Sequence, residues 1–212
     1  MIKRLVIFGD SFAYGDGLDN HLEECYAARI AQHFGWELIN LGVPGGSNET
    51  SKWQLHRFQK QEYANNNNLI MHGLTHPNRT SWIGNEVHDN FYCNLIPVTI
   101  GEYKQNISWC NTIQQEWVKN CYSEEWEEYN NWHTVQVFNA FAQQTKQPML
   151  QYYTYDALDN LTGIMENFSM LQNIQWPGNH VFFDHGHLTA EGNQIAADYF
   201  IDYISREYLQ IL

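Results

Sequence analysis

The constraint that bears hardest on this chain is the alternation of two hydrophobic periodicities along it. Short runs of β-branched and aliphatic residues are each followed by a segment whose apolar side chains recur at helical spacing. Ile2 to Phe8 reads as a buried strand that runs straight into the turn Gly9-Asp10-Ser11. Leu22 to Phe34 sets Leu22, Tyr26, Ile30, Ala31 and Phe34 on one helical face ahead of Gly35, a natural C-terminal glycine. Trp36 to Leu41 gives a second strand, Asn68 to Gly73 a third and Met149 to Tyr155 a fourth. The turn from Gly42 to Asn48 ends in Ser47 and Asn48, either of which caps a helix over Glu49 to Tyr63, and Ala190 to Leu209 predicts a closing amphipathic helix. Strands alternating with helices in this way predict a parallel sheet covered on both faces.

The middle of the chain breaks the pattern. From His76 to Trp109, Asn, Gly and Pro interrupt scattered aromatics, and helical spacing returns from Ser108 to Lys146 through Ile113, Trp117, Val118, Cys121, Val135, Phe138, Phe141 and Ala142, as one helix or two joined near Ser123. We read residues 76–133 as an aromatic-rich, largely helical insertion in a single domain spanning residues 1–212. Trp82, Phe91, Tyr92, Tyr103, Trp109, Trp117, Trp126 and Trp132 form either the core of that addition or a lid that stacks on a ligand.

The formal charge of −13, with no local Lys/Arg cluster, repels phosphate backbones and anionic lipid, so neither nucleic acid nor a membrane surface is expected as a partner. The apolar run before Gly9 is too short for a signal-peptide core or a bilayer span, which predicts a cytoplasmic protein. In that compartment Cys25, Cys93, Cys110 and Cys121 are read as reduced thiols, and the Asn-x-Ser/Thr triplets carry no weight.

Two motifs at opposite ends carry chemistry. Gly9-Asp10-Ser11 follows a strand directly, where a Ser hydroxyl projects from the carboxyl edge of a parallel sheet. Near the other end, Asp184-His185-Gly186-His187 places a carboxylate three residues ahead of an imidazole, just before a helix that Thr189 caps. A carboxylate on one imidazole nitrogen leaves the other free to face a hydroxyl. Each motif alone is also an ordinary polar turn; together they predict a catalytic triad of Ser11, His187 and Asp184, with His185 as a neighbour of the base.

Gly9-Asp10-Ser11-Phe12, Asn40-Leu41-Gly42-Val43-Pro44-Gly45 and Asp184-x-x-His187-Leu188-Thr189 resemble the first, second and last blocks of the SGNH/GDSL hydrolases. That resemblance runs from the first strand to the final helix and leaves His76 to about Lys146 unmatched. It implies a three-layer α/β/α flavodoxin-like fold with about five parallel strands. It further implies hydrolysis of esters or thioesters with no metal and no cofactor, and an oxyanion hole that includes the N–H groups of Ser11 and Gly45. In the third block the family carries Gly-x-Asn-Asp, where this chain has Gly73-Leu74-Thr75-His76. Thr75 then stands where the third oxyanion donor is expected, with Asn78 or Asn48 as substitutes.

Other assignments of the same residues are weaker. Asp184, His185 and His187 with His180 are metal-ligating types, but adjacent ligands in so short a loop are awkward and leave Ser11 without a role. The turn at Gly42 to Ser47 lacks the Lys of a phosphate loop, and Gly15-Asp16-Gly17 lacks the third glycine of a dinucleotide fingerprint. The sequence therefore predicts a serine esterase acting on a small-molecule or glycan ester, with acetyl as the favoured acyl group. Its rival is a catalytically silent relative that binds glycans or serves assembly.

Overall fold

A computed structural model describes residues 1–64, 67–75, 79–83, 95–99, 123–154, 170–184 and 186–208. Six strands occur among them: β1 (Arg4–Gly9), β2 (Glu37–Gly42), β3 (Asn68–Leu74), β4 (Arg79–Ile83), β5 (Leu95–Thr99) and β6 (Met149–Tyr153). Four pair in parallel in the order β2-β1-β3-β6, with Phe8 opposite both Leu41 and His72, while β4 and β5 form a separate antiparallel ribbon. That order matches the first four strands of a flavodoxin-like sheet, whose direction of growth reverses between β1 and β3. Ligands of open α/β sheets bind at that reversal, outside the carboxyl ends of the strands.

Strand alternation divides β1 between two cores. Leu5 and Ile7 point to one face with Leu69, Met71, Leu150 and Tyr152, and there they meet helix α3 (Tyr26–Phe34), which follows the short helices α1 (Ser11–Tyr14) and α2 (His21–Glu24), and the closing helix Ala190–Glu207. Val6, Phe8 and Ile70 point to the other, onto Leu55 and Phe58 of the helix Asn48–Phe58 and Phe138 and Phe141 of the long helix Glu124–Thr145. Every residue of β3 is buried, as the apolar run predicts for a strand covered on both sides. The fold is a three-layer α/β/α arrangement.

Two helix boundaries and the make-up of the insertion differ from the sequence expectation. The helix read over Leu22 to Phe34 is interrupted at Cys25, which is extended (φ −65°, ψ 154°) and whose Sγ accepts the Ala28 N–H at 3.4 Å, so α3 begins at Tyr26. Leu22, expected on the buried face, is 59% exposed on the short helix His21–Glu24. The helix expected to reach Tyr63 ends at Phe58. The insertion, read as largely helical, contains the β4–β5 ribbon before the long helix that Ser123 caps. Among the described residues the sheet has four strands where about five were expected. Cys25 is buried and unpaired, and burial raises its thiol pKa, whereas Cys93, Cys110 and Cys121 lie outside the described residues, as do most of the aromatics read as either the core of the insertion or a lid.

His72 lies fully buried in β3, stacked on Phe138 with ring centres 3.8 Å apart and Nδ1 3.2 Å from Gln151 Oε1. Burial disfavours the imidazolium and brings its pKa down to about 3. The unfolded chain therefore binds the extra proton first. Stability from this group is complete above pH 6.5 and is lost as pH falls toward 3, by about 1.4 kcal/mol per pH unit. Urea denaturation of His72→Gln beside wild type, from neutral pH downward, is expected to show a shallower loss of stability in the variant.

Candidate active site

The site is built at the carboxyl end of β1. Asp10 Oδ1 accepts the Phe12 N–H at 3.0 Å and so caps a single turn of helix, Ser11–Tyr14. Gly9 makes the approach to that turn possible. Its φ is +154°, and a Cβ there would lie 2.9 Å from Ala13 Cβ and 3.1 Å from the Gly73 carbonyl. Ser11 is thereby held at the sheet edge beside the reversal point, 2% exposed.

His187 arrives from the other end of the chain. Its loop is closed by a bridge between Phe182 and Leu188 and by the Phe183 N–H donating to the His187 carbonyl at 2.7 Å. Thr189 Oγ1 then accepts the Gly192 N–H at 3.2 Å and starts the closing helix. Buried Asn193 fastens that helix to α3: its Oδ1 accepts the Tyr26 N–H at 2.9 Å and its Nδ2 donates to the carbonyls of Leu188 and Thr189. The result places His187 Nε2 2.8 Å from Ser11 Oγ, with the edge of Phe12 against the imidazole at a ring separation of 5.5 Å.

Nδ1 of His187 lies 3.8 Å from Asp16 Oδ2. Asp184, expected to hold the imidazole, has an exposed side chain and makes no hydrogen bond or ion pair with His187 among the described residues. His180 faces Glu191 at 3.6 Å, and His185 is outside the described residues. No cluster of three or more His, Cys, Asp or Glu suited to a metal ion occurs among the described residues.

Below Ser11 the Asp10 carboxylate is completely buried. Its Oδ2 accepts the Thr75 hydroxyl at 2.7 Å and Arg79 Nη1 at 3.1 Å, and the same Nη1 lies 3.1 Å from Thr75 Oγ1. The single hydroxyl proton of Thr75 is thus directed at Asp10 and not at the space where a third oxyanion donor is expected. Asn48, the alternative donor, is also engaged, since Oδ1 accepts the Thr75 N–H at 3.1 Å and Nδ2 donates to Asn131 Oδ1. Asn78 lies outside the described residues. Gly45 has φ +67°, in the left-handed region that glycine occupies without strain, in the turn before the helix capped by Ser47.

The model of GDSL-like lipases/acylhydrolases matches residues 5–200, from the first strand to the closing helix. The chain belongs to that family. It is an SGNH-type hydrolase, and its fold has relatives among solved structures. A protein from Lactobacillus plantarum is 12% identical, with a TM-score of 0.57 over 98% of this chain and 99% of the other. A carbohydrate esterase, described as having divergent catalytic and non-catalytic binding functions, is 13% identical, with a TM-score of 0.55 over 99% and 67%. The acetyl xylan esterase Est2A of the rumen bacterium Butyrivibrio proteoclasticus is 11% identical, with a TM-score of 0.54 over 97% and 64%. At such identity these neighbours establish the fold. No curated protein sequence matches the chain. Among the described residues no helix is long and apolar enough to cross a membrane.

Within this GDSL-like hydrolase, sequence reasoning missed two residues that meet the site. Asp16 lies five positions after Ser11, between two glycines; its proximity to Ser11 in the chain is the available signal. Arg79 falls in the stretch where periodicity is lost, and nothing in the sequence marks it. Thr75→Val removes the hydroxyl between Arg79 and Asp10 and leaves part of a buried carboxylate unsatisfied. It is expected to lower the unfolding free energy by about 1–3 kcal/mol in urea titrations, with Thr75→Ser close to wild type.

Proposed function

We propose that this hydrolase is a serine esterase that removes a small acyl group, acetyl in the first instance, from a carbohydrate or another polar alcohol. The observation that carries the reading is the 2.8 Å contact between His187 Nε2 and Ser11 Oγ, the separation a general base needs to take a hydroxyl proton. For Nε2 to accept, the remaining imidazole proton must sit on Nδ1. As Ser11 Oγ attacks the ester carbonyl carbon, its proton passes to Nε2 and the carbonyl oxygen becomes an oxyanion facing the N–H groups of Ser11 and Gly45. His187 then returns the proton to the departing alcohol, and water clears the acyl-enzyme by the same route.

The imidazolium formed in each step needs a carboxylate near Nδ1. Asp184 is the first candidate, by its offset from His187 and the resemblance of that segment to the family's last block. The 3.8 Å approach of Asp16 favours a second candidate. The small acyl group on a sugar fits the aromatic-rich insertion, and two of the fold neighbours are described as a carbohydrate esterase and an acetyl xylan esterase. The commitment of the Thr75 hydroxyl to Asp10 favours the rival, a silent relative that only binds, because it removes a donor from the expected oxyanion hole.

Hydrolysis of p-nitrophenyl acetate tests the reading. Wild type is expected to turn over, and Ser11→Ala and His187→Ala to lose about 1000-fold or more in kcat. Equal rates for wild type and Ser11→Ala favour the silent relative. Asp184→Asn and Asp16→Asn, assayed side by side, identify the carboxylate: the true partner is expected to lose about 10,000-fold in kcat and the bystander to stay near wild type.

A further inference from the structure

We propose that Arg79 is a positioning residue for acyl transfer at Ser11, acting through the buried Asp10 carboxylate. The assignment rests on the serine hydrolase reading above. Asp10 adjoins the nucleophile in sequence, is inaccessible to solvent, and serves the site by holding the Phe12 N–H and with it the shape of the turn that presents Ser11. A bare carboxylate there is a liability. In a poorly hydrated interior its charge opposes the negative charge that develops on the substrate oxygen beside Ser11, and an unpaired buried charge is itself costly.

Arg79 answers both problems from outside the α/β/α layers. It comes from the first strand of the antiparallel ribbon, is only 17% exposed, and places Nη1 3.1 Å from Asp10 Oδ2 and 3.1 Å from Thr75 Oγ1. The strand that carries it is fixed independently. Ser81 Oγ lies 2.5 Å from Ser47 Oγ and 2.6 Å from Thr50 Oγ1, at the start of the helix that follows the Gly45 turn. One strand therefore touches the support of Ser11 through Arg79 and the support of Gly45 through Ser81, the two segments whose N–H groups are assigned to the oxyanion. Because Arg79 acts on Asp10, its loss is expected in the chemical step and not in substrate affinity.

The test uses the full chain with two readouts, the rate of Ser11 labelling by a fluorophosphonate and kcat and KM for p-nitrophenyl acetate, while thermal melting follows folding. Arg79→Ala is expected to lower the labelling rate and kcat by about 10- to 100-fold with KM unchanged. Added guanidinium ion is expected to restore part of the rate to Arg79→Ala and none to the double variant Ser11→Ala with Arg79→Ala. Removing both charges, as Asp10→Asn with Arg79→Met, is expected to give a faster enzyme than Arg79→Ala alone. A folded Arg79→Ala that labels and turns over at the wild-type rate overturns the assignment. So does a variant whose melting temperature falls while guanidinium does not rescue its rate. Should Arg79→Ala fail to fold, Arg79→Lys and Arg79→Gln carry the test, because Lys keeps the charge and Gln does not: a lower kcat at unchanged KM in Arg79→Gln than in Arg79→Lys supports the role, and equal kcat in the two overturns it. Wild type that resists labelling sinks the hydrolase reading and this assignment together, whereas equal labelling of wild type and the Arg79 variants sinks this assignment alone.

Discussion

The packing of the closing helix on α3 is the interaction on which the site depends. Ser11 and His187 are 176 residues apart, and the helices that follow them in the chain, α3 and the closing helix, pack against each other in one core. Small residues on both helices, Ala27, Ala28 and Ala31 against Ala196 and Ala197, allow close approach, and Phe200 stacks on Tyr26 at 5.6 Å. Burial of apolar area drives that contact but has no direction of its own. Asn193 supplies the direction, because its buried amide bonds both to the first turn of α3 and to the backbone just after His187. A slip of the closing helix along α3 would break these bonds and carry the imidazole off the hydroxyl.

The second organising element is a charge. Most of the interior is apolar, yet the residue before Ser11 is a fully buried carboxylate. It is tolerable because three donors meet it: the Phe12 N–H, the Thr75 hydroxyl and Arg79. Thr75 directly follows β3 and Arg79 opens the ribbon, so the sheet, the Ser11 turn and the ribbon are joined at one carboxylate. This arrangement also gives a physical account of Thr75. At the position where the resemblance to the family leads one to expect an oxyanion donor, the Thr75 hydroxyl is turned inward to support Asp10.

The parts of the fold governed by local pattern were legible in the residues. The four sheet strands were placed to within a residue or two, and for β3 the reason is that a strand buried on both faces is a continuous apolar run with little else it resembles. The ends of the site were legible for a related reason: Ser11 and His187 each sit at a junction whose turn residues carry their own signature. The break at Cys25 was not, since the apolar spacing of Leu22 to Phe34 continues through it and only the extended backbone at Cys25 separates the two helices. The ribbon was missed because its pairing joins segments with no shared periodicity.

By itself the sequence determined the layer architecture, the family and the two residues in contact at the site, because each follows from short-range periodicity or from motifs of a few adjacent positions. Tertiary structure alone decided which groups surround those two. Asp16 at 3.8 Å from Nδ1, Arg79 on Asp10, and Thr75 and Asn48 turned to structural bonds are all outcomes of side chains from separate elements meeting at one sheet edge. A hydrogen bond is set by distances of a few tenths of an ångström and by competition among neighbouring donors, and no spacing along the chain encodes that competition.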